Sequence, residues 1–198
     1  MKPSGRGGRE PDNYSADTIS ELDPFDFSRL RSDRPFSRED GNTGVTDTGG
    51  DTNTIWMVRH IVDESPELYE LDSEDFSIIR SSTVVPENAS GIGGDSDTIW
   101  YTDYSNPEFI IEIETENLTE VRRVEHPGDS SGSIGGNKNV IWTTSSRTDV
   151  YEVDTSDLST VREGDSRSEY AYTGGIGGDQ SKMWYVSDGE VVTANYNG

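Results

Sequence analysis

Ser90-Gly91-Ile92-Gly93-Gly94-Asp95-Ser96-Asp97-Thr98-Ile99-Trp100 is the stretch that decides the reading of this chain. Its Gly-Gly pair, with a tryptophan six residues after the second glycine, recurs at Gly49-Gly50/Trp56, Gly135-Gly136/Trp142 and Gly177-Gly178/Trp184. The tryptophans are spaced by 44, 42 and 42 residues, and all four in the chain are used this way. Gly50, Gly94, Gly136 and Gly178, together with Trp56, Trp100, Trp142 and Trp184, are therefore structural markers of one repeated unit.

A second block follows each of the first three. Glu70-Leu71-Asp72 with Asp75-Phe76-Ser77 and Arg80 matches Glu112-Ile113-Glu114 with Asn117-Leu118-Thr119 and Arg122. It matches Glu152-Val153-Asp154 with Asp157-Leu158-Ser159 and Arg162 as well. A further copy stands near the start, from Glu21-Leu22-Asp23 to Arg31, with no Gly-Gly/Trp block before it. The block around Trp184 is followed only by a weak version, Val191-Val192-Thr193-Ala194-Asn195.

Each unit reads as four short strands. In the second copy these are a glycine-rich Ser90–Gly94, an aromatic and β-branched Thr98–Thr102, an alternating Glu108–Glu114 and a polar Val121–Val124. Asp95-Ser96-Asp97, Ser105-Asn106-Pro107 and Thr115-Glu116-Asn117 are the turns between them. No segment has a helical period. Four strands every 42–44 residues is the signature of an all-β propeller blade. The glycine strand belongs innermost, where strands crowd, and the Arg122-Arg123 strand outermost, in solvent. The tryptophan is expected to pack between neighbouring blades rather than to line a sugar pocket.

The same arithmetic organises the chain. Residues 1–17 form a polar tail and residues 18–198 the propeller. Units run 49–90, 91–132 and 133–175. Residues 18–48 supply the outer strands, and 176–198 the inner strands, of a fourth blade closed by both chain ends. Closure removes two exposed sheet edges, which favours it. The alternative is that chains combine, each completing its neighbour.

Composition bounds the function. The chain of 198 residues carries 39 Asp+Glu against 16 Lys+Arg, a net charge of −23, with 29% hydrophobic residues and no cysteine. Nucleic acid and anionic membranes are disfavoured partners, and disulfides, thiolate zinc sites and cysteine nucleophiles are excluded. Only Lys2, Lys138 and Lys182 are lysines. Acidity with few lysines fits a fold adapted to molar salt, where the Debye length is about 3 Å and self-repulsion is screened.

The pattern Gly-Gly-Asp-x-x-x-Ile-Trp, then Glu-hydrophobic-Asp/Glu, then Asp-Phe/Leu-Ser, resembles propeller repeats of haloarchaeal proteins and haloviral gene products. More distantly it is similar to propellers of the YVTN and virginiamycin-B-lyase type. The resemblance covers residues 19–198 and implies the fold. Lyase-type propellers carry catalytic His and acidic residues, but no matching His motif occurs here, so the resemblance transfers no site.

Other motifs fall away. Gly128-Asp129-Ser130-Ser131-Gly132 matches G-x-S-x-G but no helix follows, as a nucleophile elbow requires. Gly-Gly-Asp recurs far too sparsely for a calcium β-roll. No metal or cofactor is expected. Variation between copies is the better pointer: three residues after each tryptophan stand Arg59, Asp103, Ser145 and Ser187, and His60, Tyr104 and Ser146 follow the first three. Arg59, His60, Asp103, Tyr104 and Arg147 are the candidate partner-binding residues, on loops expected at one face.

The resulting expectation is a non-enzymatic binding or structural subunit of a halophilic assembly, such as a capsid decoration or tail component of a haloarchaeal virus particle. Its partners would be other protein subunits, or a host surface protein or glycan, without membrane insertion. A virion, or the cytoplasm of a halophilic host, is the expected location, since no signal peptide is visible. A cell-surface or carbohydrate-binding adhesion module is the alternative. A lyase- or lactonase-like enzyme is the third reading, and it lacks a visible nucleophile–base pair.

Overall fold

The computed structural model describes residues 19–22, 29–33, 43–51, 53–61, 65–85, 88–105, 107–128, 131–145, 149–165, 174–178, 182–187 and 190–195. All regular structure among them is β. Contacts divide the chain into two units, residues 1–41 and 42–198.

The first unit holds one hairpin, β1 (Ile19–Leu22) with β2 (Arg29–Asp33). The second holds four antiparallel sheets, each formed by strands in chain order. The first comprises β3 (Thr43–Gly50), β4 (Thr54–Ile61), β5 (Glu67–Asp72) and β6 (Ile78–Ser82). The second comprises β7 (Ala89–Gly94), β8 (Thr98–Asp103), β9 (Phe109–Glu114) and β10 (Thr119–Glu125). The third comprises β11 (Ser131–Asn137), β12 (Val140–Ser145), β13 (Asp149–Val153) and β14 (Thr160–Asp165). The fourth has three strands, β15 (Gly174–Gly178), β16 (Lys182–Ser187) and β17 (Glu190–Asn195).

Glycine sets how close the sheets come. The first strands lie side by side in the order β3, β7, β11, β15. A Cβ on Gly49 would stand 2.5 Å from the Cα of Gly93, and one on Gly93 2.7 Å from the Cα of Gly135. Only glycine permits that approach. The second glycine of each pair turns the chain: φ is 156° at Gly50, 141° at Gly94, 130° at Gly136 and 149° at Gly178.

The tryptophans fill the layers between sheets. Trp56 is buried with Ile92, Ile99, Tyr101, Ile111 and Ile113 of the next sheet. Trp100 packs with Ile134, Ile141, Tyr151 and Val153 of the third, and Trp142 with Ile176 of the fourth. Central strands are thus covered on both faces, which is why β8 and β12 are buried almost throughout rather than alternating. Each indole removes roughly 150–250 Å² from water, so this layer dominates the core. Trp56 also donates its indole N–H to the Asp95 carbonyl, 2.9 Å away in the next sheet.

The second block builds a clamp across the same layer. Glu70 pairs with Trp56 on one side and Arg80 on the other, and Glu112 and Glu152 repeat this register. Arg80 donates Nε to Glu70 and its Nη atoms to the Thr115 and Glu116 carbonyls of the next sheet. Arg122 does the same with Glu112, Thr155 and Ser156. Arg80 also lies 5.8 Å from the Trp56 ring centroid, and Arg162 5.7 Å from that of Trp142. The outer strand is therefore not simply a solvated edge, as its polarity suggests: Arg123 is exposed, whereas Arg122 is half-buried and spent on the neighbouring sheet. In the hairpin of the first unit, Glu21 pairs with Arg31, with the register shift again directly after the glutamate.

The turns after β5, β9 and β13 hold Phe76, Leu118 and Leu158 at φ of 62°, 53° and 60°. A bulky residue in the left-handed region costs about 1–3 kcal/mol. All three side chains are buried, and burying one contributes about 1.5–3 kcal/mol, which offsets the strain.

Candidate functional site

The strand registers place two kinds of connection at opposite ends of the sheets. Residues 51–54, 95–98 and 137–140 join first to second strands at one end, together with the Phe76, Leu118 and Leu158 turns. Here the first two copies do the same work. Asp51 Oδ1 accepts from the Asn53 and Thr54 amides at 2.7 and 3.0 Å, and its Oδ2 from the Ser96 amide of the next sheet at 3.2 Å. Asp95 likewise accepts from Asp97 and Thr98 at 2.9 and 3.0 Å and from the Lys138 amide at 3.0 Å. Asp51 and Asp95 thus staple the first sheet to the second and the second to the third; the third copy has Asn137 in this place, whose Oδ1 accepts from the Asn139 amide at 2.8 Å. Among the described residues no group of three His, Cys, Asp or Glu could hold a metal ion.

The other end differs from sheet to sheet. At the close of β8, the Asp103 carboxylate is buried and accepts from the Ser105 amide at 2.9 Å and hydroxyl at 2.5 Å. That turn leaves the Tyr104 ring 52% exposed while its amide donates to the Asn88 carbonyl at 3.0 Å. Asn88 returns a bond from Nδ2 to Ser105 Oγ at 3.1 Å. Opposite, the His126 amide donates to the Glu108 carbonyl at 2.9 Å, holding the end of β10 against the start of β9. Between segments 104–108 and 125–128 lies a cavity of about 410 Å³, with Tyr104, Pro107, Glu108, Glu125 and His126 in its walls.

His126 is a wall, and its ring nitrogens are occupied. The Gly128 amide donates to Nδ1 at 3.1 Å, so the ring proton sits on Nε2 and is given to Thr143 Oγ1 at 3.0 Å. Thr143 passes its own proton to the Ser133 carbonyl at 3.1 Å. The ring meets Tyr151 edge to face, with centroids 6.0 Å apart. Burial drives its pKa down to about 4, so the imidazole is neutral.

The remaining candidates are spread over the same end. Arg59 is half-buried in β4, paired in register with Glu67, whose carboxylate accepts from the Tyr69 hydroxyl. Burial raises the Tyr69 pKa. His60 Nε2 lies 3.3 Å from the Ala89 carbonyl. Arg147 lies outside the described residues. Of the described candidates Tyr104 lines the cavity, and Asp103 holds the turn that carries it.

Sequence reasoning passed over Glu108, Glu125, His126 and Asp47. Asp47, in β3, accepts from the Thr48 amide at 2.8 Å and from the Ile92 amide of the next sheet at 3.2 Å. Burial pushes its pKa up to about 6. A signal existed for two of them. Counting back from the glycine pair, Asp47 stands where other copies have Gly91, Ser133 and Gly175. Counting on from the repeated arginine, His126 stands where the first sheet has Val84.

No protein-family profile and no curated protein matches the sequence. Solved structures do share its fold. A glutaminyl cyclase from Myxococcus xanthus is similar with a TM-score of 0.66 and 14% identity, over 91% of this chain and 83% of that one. A catalytically inactive variant of virginiamycin B lyase from Staphylococcus aureus, with quinupristin, has a TM-score of 0.54 and 16% identity. That match covers 89% of this chain and 58% of the lyase. The computationally designed protein Ika8 gives 0.53 and 10%, over 77% and 46%. The likeness is one of fold alone: an all-β propeller of antiparallel, mostly four-stranded sheets. It also corrects an expectation. Two of these three proteins are enzymes, so the non-enzymatic reading, which rested on missing sequence motifs, does not stand.

Proposed function

We propose that this chain is a recognition propeller whose loop end, carrying residues 103–108 and 125–128, contacts the ligand or partner. The observation that carries the reading is the cavity of about 410 Å³ there. Its walls come from positions at which the copies differ, while at the opposite end Asp51 and Asp95 make the same staple. Rigid repeated sheets with differing loops are what a recognition surface needs. A catalytic use of the same cavity is the second reading, favoured by the two enzymes that share the fold. Glu108 and Glu125 are the acid–base groups it would offer.

The setting we infer is a molar-salt one, with the chain as a subunit of a larger assembly such as a haloarchaeal virus particle, and a glycan-binding adhesion module as the alternative. The charge of −23 supports the salt adaptation. A fourth blade closed by both chain ends is part of the same proposal; the Glu21–Arg31 register, which is that of an outer strand pair, supports it.

Two measurements test this. The melting temperature should rise steeply from dilute buffer to molar salt, and a flat response would remove the salt adaptation. Complexes purified in molar salt from the native source should lose their partner on Tyr104→Ala but keep it on Lys138→Ala, at the opposite end. The reverse pattern would overturn the loop-end assignment.

A further inference from the structure

We propose that the outer edge of each sheet is built to refuse strand addition by a second copy of this chain, through a β-bulge at one fixed place in the repeat. The proposal rests on the molar-salt setting and adds how copies are kept apart there; it is independent of the loop-end reading.

The registers carry it. β6 skips one residue between Ile78, opposite Leu71, and Arg80, opposite Glu70. β10 skips one between Glu120 and Arg122, and β14 one between Thr160 and Arg162. The hairpin of the first unit skips one between Arg29 and Arg31. The skipped residues are Ile79, Val121, Val161 and Leu30, aliphatic in every case and 53–55% exposed. Among the described residues, only Ile78 and Tyr104 otherwise stand out as exposed large hydrophobics.

Two ordinary reasons for a bulge do not hold here. The extra residue does not fill the core, since about half of it meets water. Nor does the arginine clamp need it. Without Ile79, the pairs Ile78–Leu71 and Arg80–Glu70 would follow one another as a regular ladder, with the arginine still opposite its glutamate. What the bulge alters is the free side of the strand. β6, β10 and β14 end their sheets, and among the described residues no strand pairs with them on the outer side. Such an edge is a template for another chain, and an extra unpaired residue breaks the row of N–H and C=O groups that would receive it.

Charge cannot do the same work. β6 has no acid and a single arginine, beside the exposed Ile78 and Ile79. In β10, Glu120 is neutralised by Arg123. Repulsion between whole chains of charge −23 is screened within about 3 Å at 1 M salt. A guard made of backbone shape is indifferent to salt.

The test removes the skipped residue. Full chains lacking Ile79, Val121 or Val161 are compared with the parent by sedimentation velocity in molar salt, with unfolding midpoints read on the same samples. The chain lacking Ile79 should reach twice the sedimenting mass of the parent as concentration rises, two regular edges pairing about a two-fold axis. Its amides in residues 78–82 should gain protection from hydrogen exchange. Ile79→Thr keeps the bulge, removes the apolar exposure and should sediment as the parent does. Because the deletion takes away the same isoleucine, association on deletion alone assigns the effect to the backbone. Folded deletion variants that sediment like the parent overturn the proposal. Loss of folding in all three overturns it too, assigning the bulge to packing; where one or two fail to fold, the remainder decide. Any change of mass on Ile79→Thr also overturns it, making that side chain itself the determinant of association. The parent's melting against salt and its partner's response to Tyr104→Ala test the setting and the loop end apart from this result.

Discussion

The two ends of the sheets are built from the same strands and have opposite characters. At the end holding Asp51 and Asp95, the first sheet reaches the second and the second the third through matching bonds, from aspartate to amide and from arginine to carbonyl. At the end holding Tyr104 and His126 the sequence changes from copy to copy, and beside the second sheet a cavity opens where two segments part. The difference teaches that periodicity here marks load, and departure from periodicity marks freedom. Residues that repeat fix the distance between sheets; residues that do not are available for contact.

The largest effect should come from the repeated layer. Trp100→Ala removes an indole packed on Ile134, Ile141 and Tyr151 and should cost about 3–5 kcal/mol. Denaturant unfolding in molar salt reads this as a large drop in midpoint. A loss under 1 kcal/mol would break the claim that the tryptophans carry the stack.

The second effect is a pair of opposed pH dependences. His126 has its folded pKa depressed from 6.5 to about 4, so its contribution is complete above pH 6.5 and is lost as pH falls through about 4. Asp47 has its folded pKa raised from 3.8 to about 6, so its contribution is complete below pH 3.8 and is lost as pH rises through about 6. Each amounts to about 2–3 kcal/mol, with opposite sign between pH 4 and 6. Relative to the parent chain, Asp47→Asn should make stability fall more steeply on acidification, and His126→Gln should make it fall less. Parallel pH–stability curves for all three chains would contradict the burial of both groups.

The smallest is the clamp. Arg122→Lys keeps the charge but loses the fork that reaches both Glu112 and the carbonyls of residues 155 and 156. It should cost about 1 kcal/mol. Lys138→Ala should cost less still, because its bond to Asp97 lies in solvent.

How far the sequence could be read follows from the same distinction. Gly93, Trp100 and Glu112 recur at fixed intervals, and a recurring residue betrays a recurring contact; sheets, strand order and the layer position of tryptophan were legible for that reason. The outer strand begins at Thr119, two residues before Val121, because the turn ends at Leu118 in a left-handed conformation that sequence does not announce. The role of Arg122 was hidden because its acceptors are carbonyls of a different sheet, and a carbonyl has no letter. Of the cavity, Tyr104 stood out as a departure from the repeat. Glu108 and Glu125 did not, since two acids among 39 are unremarkable until the β9–β10 register brings them together.

One alanine scan across both ends, read for unfolding midpoint and for partner binding in the same samples, tests the account most directly. Alanine at Asp51, Asp95 and Thr155 should lower the midpoint and leave binding intact. Alanine at Tyr104, Pro107 and Glu125 should weaken binding and shift the midpoint by less than about 0.5 kcal/mol. Binding lost at the aspartate end and untouched at Tyr104 and Glu125 would contradict it.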